Sequence, residues 1–328
     1  MPEIKKVLTT VRYDKEDLSR LCKALEPATI VHCGPKDDEI IKNALKEADV
    51  AILGSDLDER FFDAPNLKWV HCDHAGLNKS MKPEVFEKGI LLSSSAGRSS
   101  PALAEHMLMF MINFAFHFRE YYEAQLQHQW GVKGQDNFRC LCGKTVSIFG
   151  MGNNGRELAK RVSALEMRAL GYDRFKMDKL PGFDEQYSAE EGHSIDPLLK
   201  QSDFVALAVP LTDETYHMIS MREFKIMKPT AYLINMARGP VVDEQAMIEA
   251  LRTGVIAGAG LDVFGNEPLE TDSPLWDLPN VFITPHVTPQ VPSRTGRSLE
   301  IIIENIGRYR KGEPLKNQQQ KMDVFTKA

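Results

Sequence analysis

Lys144-Thr145-Val146-Ser147-Ile148-Phe149-Gly150-Met151-Gly152-Asn153-Asn154-Gly155 is the stretch that decides the fold. A short apolar run leads straight into G-x-G-x-x-G, and Arg156-Glu157-Leu158-Ala159 continues as an amphipathic helix. Gly150 permits the tight turn, Gly152 lets the backbone approach a pyrophosphate, and Gly155 lets the helix pack on the strand. The N–H groups at the helix start can then hold the anion. A second strand is predicted at 167–172 and ends on Asp173, 18 residues beyond Gly155. A carboxylate there can accept hydrogen bonds from the adenosine ribose and would repel a 2′-phosphate. The cofactor is therefore read as NAD. NADP stays the alternative, because Arg174 and Lys176 follow directly.

Outward from the loop, the α/β rhythm runs both ways. Strands are predicted before it at 7–11, 29–32, 50–53, 67–72 and 90–93, with helices at 14–25, 37–45 and 83–88. After it come strands at 204–209, 231–235, 256–261 and 281–284, and a closing helix at 298–311. Strands alternating with helices imply parallel sheets. Since the loop follows a complete α/β series, the fold class is two Rossmann-like doubly wound domains. A cofactor domain, 101–287, is inserted into a discontinuous, flavodoxin-like substrate domain, 1–100 with 288–328.

Ser99-Ser100-Pro101 starts a long helix. Its apolar part, 103–116, contains Glu105, His106 and Asn113 and falls short of the roughly 20 apolar residues that span a bilayer. A polar continuation is predicted to Trp130-Gly131. With Tyr121, Tyr122 and Trp130 this helix is the candidate interface of a homodimer. The tail from Gln318 is polar and expected to be frayed or lightly packed.

The 328 residues fit two domains, and 40 Lys+Arg against 46 Asp+Glu give a net charge of −6. That balance argues against nucleic-acid or membrane partners. Five cysteines, Cys22, Cys33, Cys72, Cys140 and Cys142, show no pairing pattern and read as reduced, cytoplasmic thiols. Cys140 and Cys142 lack further ligands nearby, so no metal site is expected. The N-terminus has no apolar core of a signal peptide.

Further motifs lie in order: Val209-Pro210-Leu211-Thr212 with Thr215, Ile234-Asn235-Met236-Ala237-Arg238-Gly239-Pro240, Leu261-Asp262-Val263-Phe264 through Glu267-Pro268, and Thr284-Pro285-His286. With the glycine loop they resemble the D-isomer-specific 2-hydroxyacid dehydrogenases over about residues 70–317. The resemblance implies interconversion of a small 2-keto acid and its (R)-2-hydroxy acid. Arg238 has the planar fork for bidentate contact with a keto acid. His286 can exchange a proton near neutrality, and Glu267 would orient and stabilise its charged ring.

The family pattern places the cofactor along Gly150, Gly152, Asn153, Asn154, Gly155 and Asp173, then Val209, Pro210 and Thr215. It continues through Met236, Ala237 and Arg238 to Asp262, at the nicotinamide carboxamide, and His286. Ala75 and Gly76, after the strand at 67–72, are the implied backbone donors to the substrate carboxylate, beside Arg238 and His286. The chain departs from the pattern at Asn154, where an aliphatic residue is usual, at Asn78 in place of Asp, and in the proline-bearing segment 287–292. Glu267 argues against formate dehydrogenase. Phosphonate (phosphite) dehydrogenases and the NAD(H)-sensing C-terminal-binding-protein corepressors share the scaffold and are the alternative readings.

Overall fold

Val50-Ala51-Ile52-Leu53 and Trp69-Val70-His71-Cys72 are buried at every position. Strands without polar alternation belong to a parallel sheet with helices over both faces, and that is what forms. The computed structural model describes residues 2–132, 140–292 and 294–327. The chain divides into two compact units, Met1–Ser99 with Gln290–Ala328, and Ser100–Pro289.

The first unit runs β1 (Lys6–Thr9), α1 (Lys15–Leu25), β2 (Thr29–His32), α2 (Asp38–Leu45), β3 (Val50–Leu53), β4 (Trp69–Cys72), α3 (Pro83–Glu87) and β5 (Leu91–Ser94), and is completed by the chain's last long helix, Arg294–Lys311. Its parallel sheet has the order β2-β1-β3-β4-β5, the flavodoxin-like arrangement. Alternate side chains feed two cores. Leu8, Ala51, Leu53 and Val70 pack with Ile41 and Leu45 of α2. Val7, Val50, Ile52 and Trp69 pack with Leu21 and Leu25 of α1 and with Leu299, Ile302 and Ile306. Helix α1 begins where the Asp14 carboxylate accepts the Asp17 N–H at 2.8 Å.

The tail departs from expectation. Gln318 makes an antiparallel bridge to Ser93, and the Gln319 N–H donates to Leu92 O at 2.8 Å. The Asn317 amide donates to Ser94 O and Ala96 O at 3.1 and 2.8 Å. Strand β5 is the sheet edge, and its unpaired backbone groups take the tail as partner.

The second unit runs α4 (Ser100–Ala115), α5 (Phe118–Leu126), β6 (Thr145–Phe149), α6 (Asn153–Ala164), β7 (Arg168–Asp173), β8 (Glu185–Ser188), α7 (Asp196–Gln201), β9 (Phe204–Leu207), α8 (Met221–Ile226), β10 (Tyr232–Asn235), α9 (Glu244–Arg252), β11 (Gly258–Leu261) and β12 (Val281–Ile283), after which Arg294–Lys311 is α10. The all-parallel order is β12-β11-β10-β9-β6-β7-β8. Successive strands step outward from β6 to β8, then jump to β9 on its other side. This is the dinucleotide-fold order, with its switch point between β6 and β9.

Helix α4 buries Ala104, Met107, Phe110, Met111 and Phe114 against Leu158 and Val162 of α6 and Val146, Ile148 and Ile234 of the sheet. Strand β8 was not predicted, because an edge strand reading Glu-Gln-Tyr-Ser has no apolar run to reveal it. The helix from Ser99 is broken at His117, whose φ of 50° is left-handed, and its continuation stops at Leu126. Among the described residues no helix is long and apolar enough to cross a membrane.

Candidate active site

Strands β6, β9, β10, β11 and β12 are adjacent and parallel, so the segments leaving their C-terminal ends share one edge of the sheet. Gly150, Val209, Met236 to Arg238, Asp262 and the 284–288 segment all leave from that edge. Ligands of open α/β sheets bind at this edge, near the switch point.

The glycine loop is built by backbone sterics. Gly150 sits at φ 98°, and a Cβ there would come within 2.7 Å of Ala208 O. At Gly155 a Cβ would lie 2.0 Å from Gly150 O, so α6 can pack this close only without a side chain. Gly152 differs: a Cβ would meet no protein atom within 4 Å. It is the N-cap of α6 and has no side chain to satisfy the first-turn amides, and that turn carries no acid. An open cradle before the amides of a 12-residue helix fits a pyrophosphate.

Asp173 ends β7 and braces the loop, since its carboxylate accepts the Met151 N–H at 2.7 Å and the Arg174 N–H at 2.8 Å. Exposed Asn153 opens α6, and the Asn154 side chain accepts the Ser100 hydroxyl at 2.6 Å. Its departure from an aliphatic residue is thus absorbed by a polar contact to the start of α4.

Beyond β9, Val209 and Pro210 lead into a turn closed by Thr215, whose hydroxyl donates to Pro210 O at 2.7 Å and accepts the Thr212 N–H at 2.8 Å. Beyond β10, Met236 and Ala237 are buried and Arg238 is half-buried. Asn235, 2 % exposed, shapes this turn: its carbonyl accepts the Ala237 N–H at 3.1 Å and its amide donates to Arg238 O at 3.2 Å. The Arg238 guanidinium donates to Ala237 O at 2.7 Å.

The His286 Nδ1 lies 2.6 Å from Glu267 Oε2, with the two side chains 37 % and 35 % exposed. The other Glu267 oxygen accepts the Phe264 N–H at 3.0 Å, which fixes the carboxylate. A fully buried imidazole could not exchange a proton with a ligand, but this half-open one can. His286 has φ 50°, a left-handed conformation costly for a residue with a Cβ. Asp262, 2 % exposed, sits behind it: Oδ1 accepts the Thr284 hydroxyl at 2.6 Å and the Val287 N–H at 3.2 Å, and Oδ2 accepts the Thr288 hydroxyl at 2.8 Å.

Ala75 and Gly76 lie in the first unit after β4, both exposed, with Gly76 at φ 76°. The neighbouring His74 is held by Asp56 at 3.1 Å, and this hydrogen bond keeps the Asp56 carboxyl below its usual range.

Sequence reasoning missed Asn235, His106 and the hydroxyls of Thr284 and Thr288 as parts of this edge. Asn235 and Thr284 stood inside quoted motifs, so their position was legible and their role was not. His106, a lone imidazole in the apolar LAEHMLMF run, was the available signal.

Residues 108–288, more than half of the chain, match the model of the D-isomer specific 2-hydroxyacid dehydrogenase NAD binding domain. A glyoxylate reductase of Thermococcus gammatolerans is 36 % identical over 296 residues, 86 % of this chain and 87 % of that relative. Among solved structures, a D-isomer specific 2-hydroxyacid dehydrogenase of Xanthobacter autotrophicus, in complex with NADPH and MES, matches with a TM-score of 0.81 and 28 % identity, covering 98 % of this chain and 99 % of that one. An NADPH-dependent glyoxylate/hydroxypyruvate reductase of Sinorhizobium meliloti, with NADP and sulfate, gives 0.80 and 26 %, covering 97 % and 99 %. The chain belongs to the D-isomer-specific 2-hydroxyacid dehydrogenases, oxidoreductases that interconvert 2-keto acids and 2-hydroxy acids with a nicotinamide dinucleotide.

Proposed function

We propose that this chain reduces a small 2-keto acid of the glyoxylate and hydroxypyruvate class, and that NADH is the preferred donor. The observation that carries the reading is the 2.6 Å pair of His286 and Glu267, on the sheet edge that also bears Arg238 and the glycine loop. A nicotinamide cofactor, when bound, would supply the hydride. Arg238 binds the carboxylate and polarises the carbonyl through its planar donors. His286 gives a proton from Nε2 to the carbonyl oxygen, and Glu267 at Nδ1 holds and orients the ring. The Ala75 and Gly76 amides are assigned to the substrate carboxylate. Unit Ser100–Pro289 is assigned to the cofactor, with Asp262 toward its carboxamide, and the remainder of the chain to the substrate.

Preference for NAD is supported by the two cations after β7, each already facing a glutamate. Arg174 meets Glu214 and Lys176 meets Glu191, both at 2.7 Å. With Asp173 at the strand end, a 2′-phosphate would have to displace these pairs. Five unpaired thiols support a cytoplasmic setting.

A homodimer is supported by the exposed stripe Met109, Ile112, Phe116, Phe118, Tyr122 and Leu126 along α4 and α5. Light scattering should give twice the 37.0 kDa of one copy, and the single-copy mass would refute it.

Oxidation of NADH and NADPH against a panel of 2-keto acids, beside NAD reduction by phosphite, tests the function. Turnover with glyoxylate or hydroxypyruvate is expected, faster with NADH. Cofactor binding without keto-acid turnover would point instead to a sensing module, and turnover with phosphite alone to a phosphonate dehydrogenase.

A further inference from the structure

One side chain outside the expected site touches the edge through two hydroxyls at once. His106, on α4, places Nε2 3.1 Å from Thr284 Oγ1 and Nδ1 2.5 Å from Thr288 Oγ1. Both hydroxyls also contact Asp262, at 2.6 and 2.8 Å. Two threonines, a histidine and an aspartate thus close a ring of four contacts.

Each threonine has one hydroxyl proton, and Asp262 as a carboxylate can only accept. Both hydroxyls therefore donate to Asp262, and a ring N–H of His106 can donate to either hydroxyl oxygen. Burial holds the His106 imidazole below its ordinary range, against the opposing pull of Asp262.

The ring has a mechanical consequence. Thr284 and Thr288 stand two residues before and two residues after His286. The Val287 N–H is held by the same Asp262. His286 itself has the left-handed φ of 50°, which persists only where its surroundings over-determine it. His106 is the member of the ring that comes from a helix: its neighbours Ala104, Met107 and Phe110 are buried in the core, and its ring lies 4.8 Å from that of Phe110.

We propose that His106 is a positioning residue for His286, transmitting the rigidity of α4 through Thr288 and Thr284 to the backbone that carries the acid/base imidazole. This rests on the role assigned above to His286. His106 acts through Thr284 and Thr288 and not on the substrate itself. Loss of His106 therefore misplaces the proton donor and lowers kcat, while the 2-keto acid binds as before.

Three variants test it: His106→Leu, Thr288→Val and the pair together, with His106→Gln as the conservative control. The expected result is a fall in kcat of about tenfold for either single variant, with KM for the keto acid within about twofold. The double variant should be no slower than the singles, because both cut one path. His106→Gln, which keeps an N–H donor, should recover most of the rate.

NMR of the cofactor-free protein with 15N-labelled histidine provides a readout that needs no turnover. The His286 ring signals should be single and sharp in the parent and broadened in His106→Leu and Thr288→Val. Unchanged His286 signals in both variants would overturn the inference, as would additive kcat losses. A parent that turns over no 2-keto acid would instead refute the proposed function, and the NMR result would still decide the place of His106.

Discussion

Each of the two parallel sheets brings a histidine to polar partners, and the two rings are treated in opposite ways. His71, on β4 of the first unit, is fully buried, with Nδ1 2.9 Å from Ser93 Oγ and Nε2 2.9 Å from Ser95 Oγ. Ser93 also accepts the Trp69 indole N–H at 2.8 Å, and Ser95 is tied to Ser298 at 2.5 Å. Burial pushes this imidazole down to about 3, so it stays neutral and serves as a hydrogen-bond joint. His286, beyond β12 of the second unit, is 37 % exposed, and its Nδ1 faces a carboxylate. Residue type alone does not make an acid/base group. A ring with both nitrogens occupied in a dry core cannot take a proton, whereas a half-open ring facing a glutamate can.

The largest effect is expected at the open ring: His286→Ala should lower kcat about a thousandfold, while cofactor affinity and thermal midpoint stay close to the parent's. Near-normal turnover in that variant would remove the distinction between the two histidines. A smaller effect, on stability alone, is expected at the closed ring.

In the unfolded chain His71 titrates near 6.5, and in the folded protein near 3. As pH falls below about 6.5, the unfolded state binds a proton that the folded state refuses. Folding stability contributed by the neutral ring is complete above that pH. It is lost on acidification at about 1.4 kcal/mol per pH unit, down to about pH 3. His71→Gln should flatten the denaturant-derived stability profile between pH 6 and pH 4 by roughly that slope. Parallel profiles for parent and variant would contradict it.

The two rings also show what the sequence made legible. The second sheet was readable because its edge is written in local signals: a glycine triplet with its strand and helix, and Arg238, Asp262, Glu267 and His286 inside short motifs. Fold class followed from the alternation of apolar runs, several of which are buried on both strand faces. The polar edge strand β8 and the tail bridge at Gln318 escaped because edge pairing is a backbone event with little side-chain pattern. His106 escaped for a different reason. Its partners Thr284 and Thr288 lie 178 and 182 residues away in the chain, and only the packing of α4 on the sheet brings them together. His71 likewise looked like any residue of an apolar strand, although its serines lie on and just after β5.

The configuration of the hydroxy acid formed from hydroxypyruvate and NADH reports on hydride transfer and proton donation together. NADH oxidation should be matched by accumulation of the (R)-2-hydroxy acid alone, resolved by chiral chromatography. Formation of the (S)-acid or of a racemate, or tight NADH binding with no product, would contradict it.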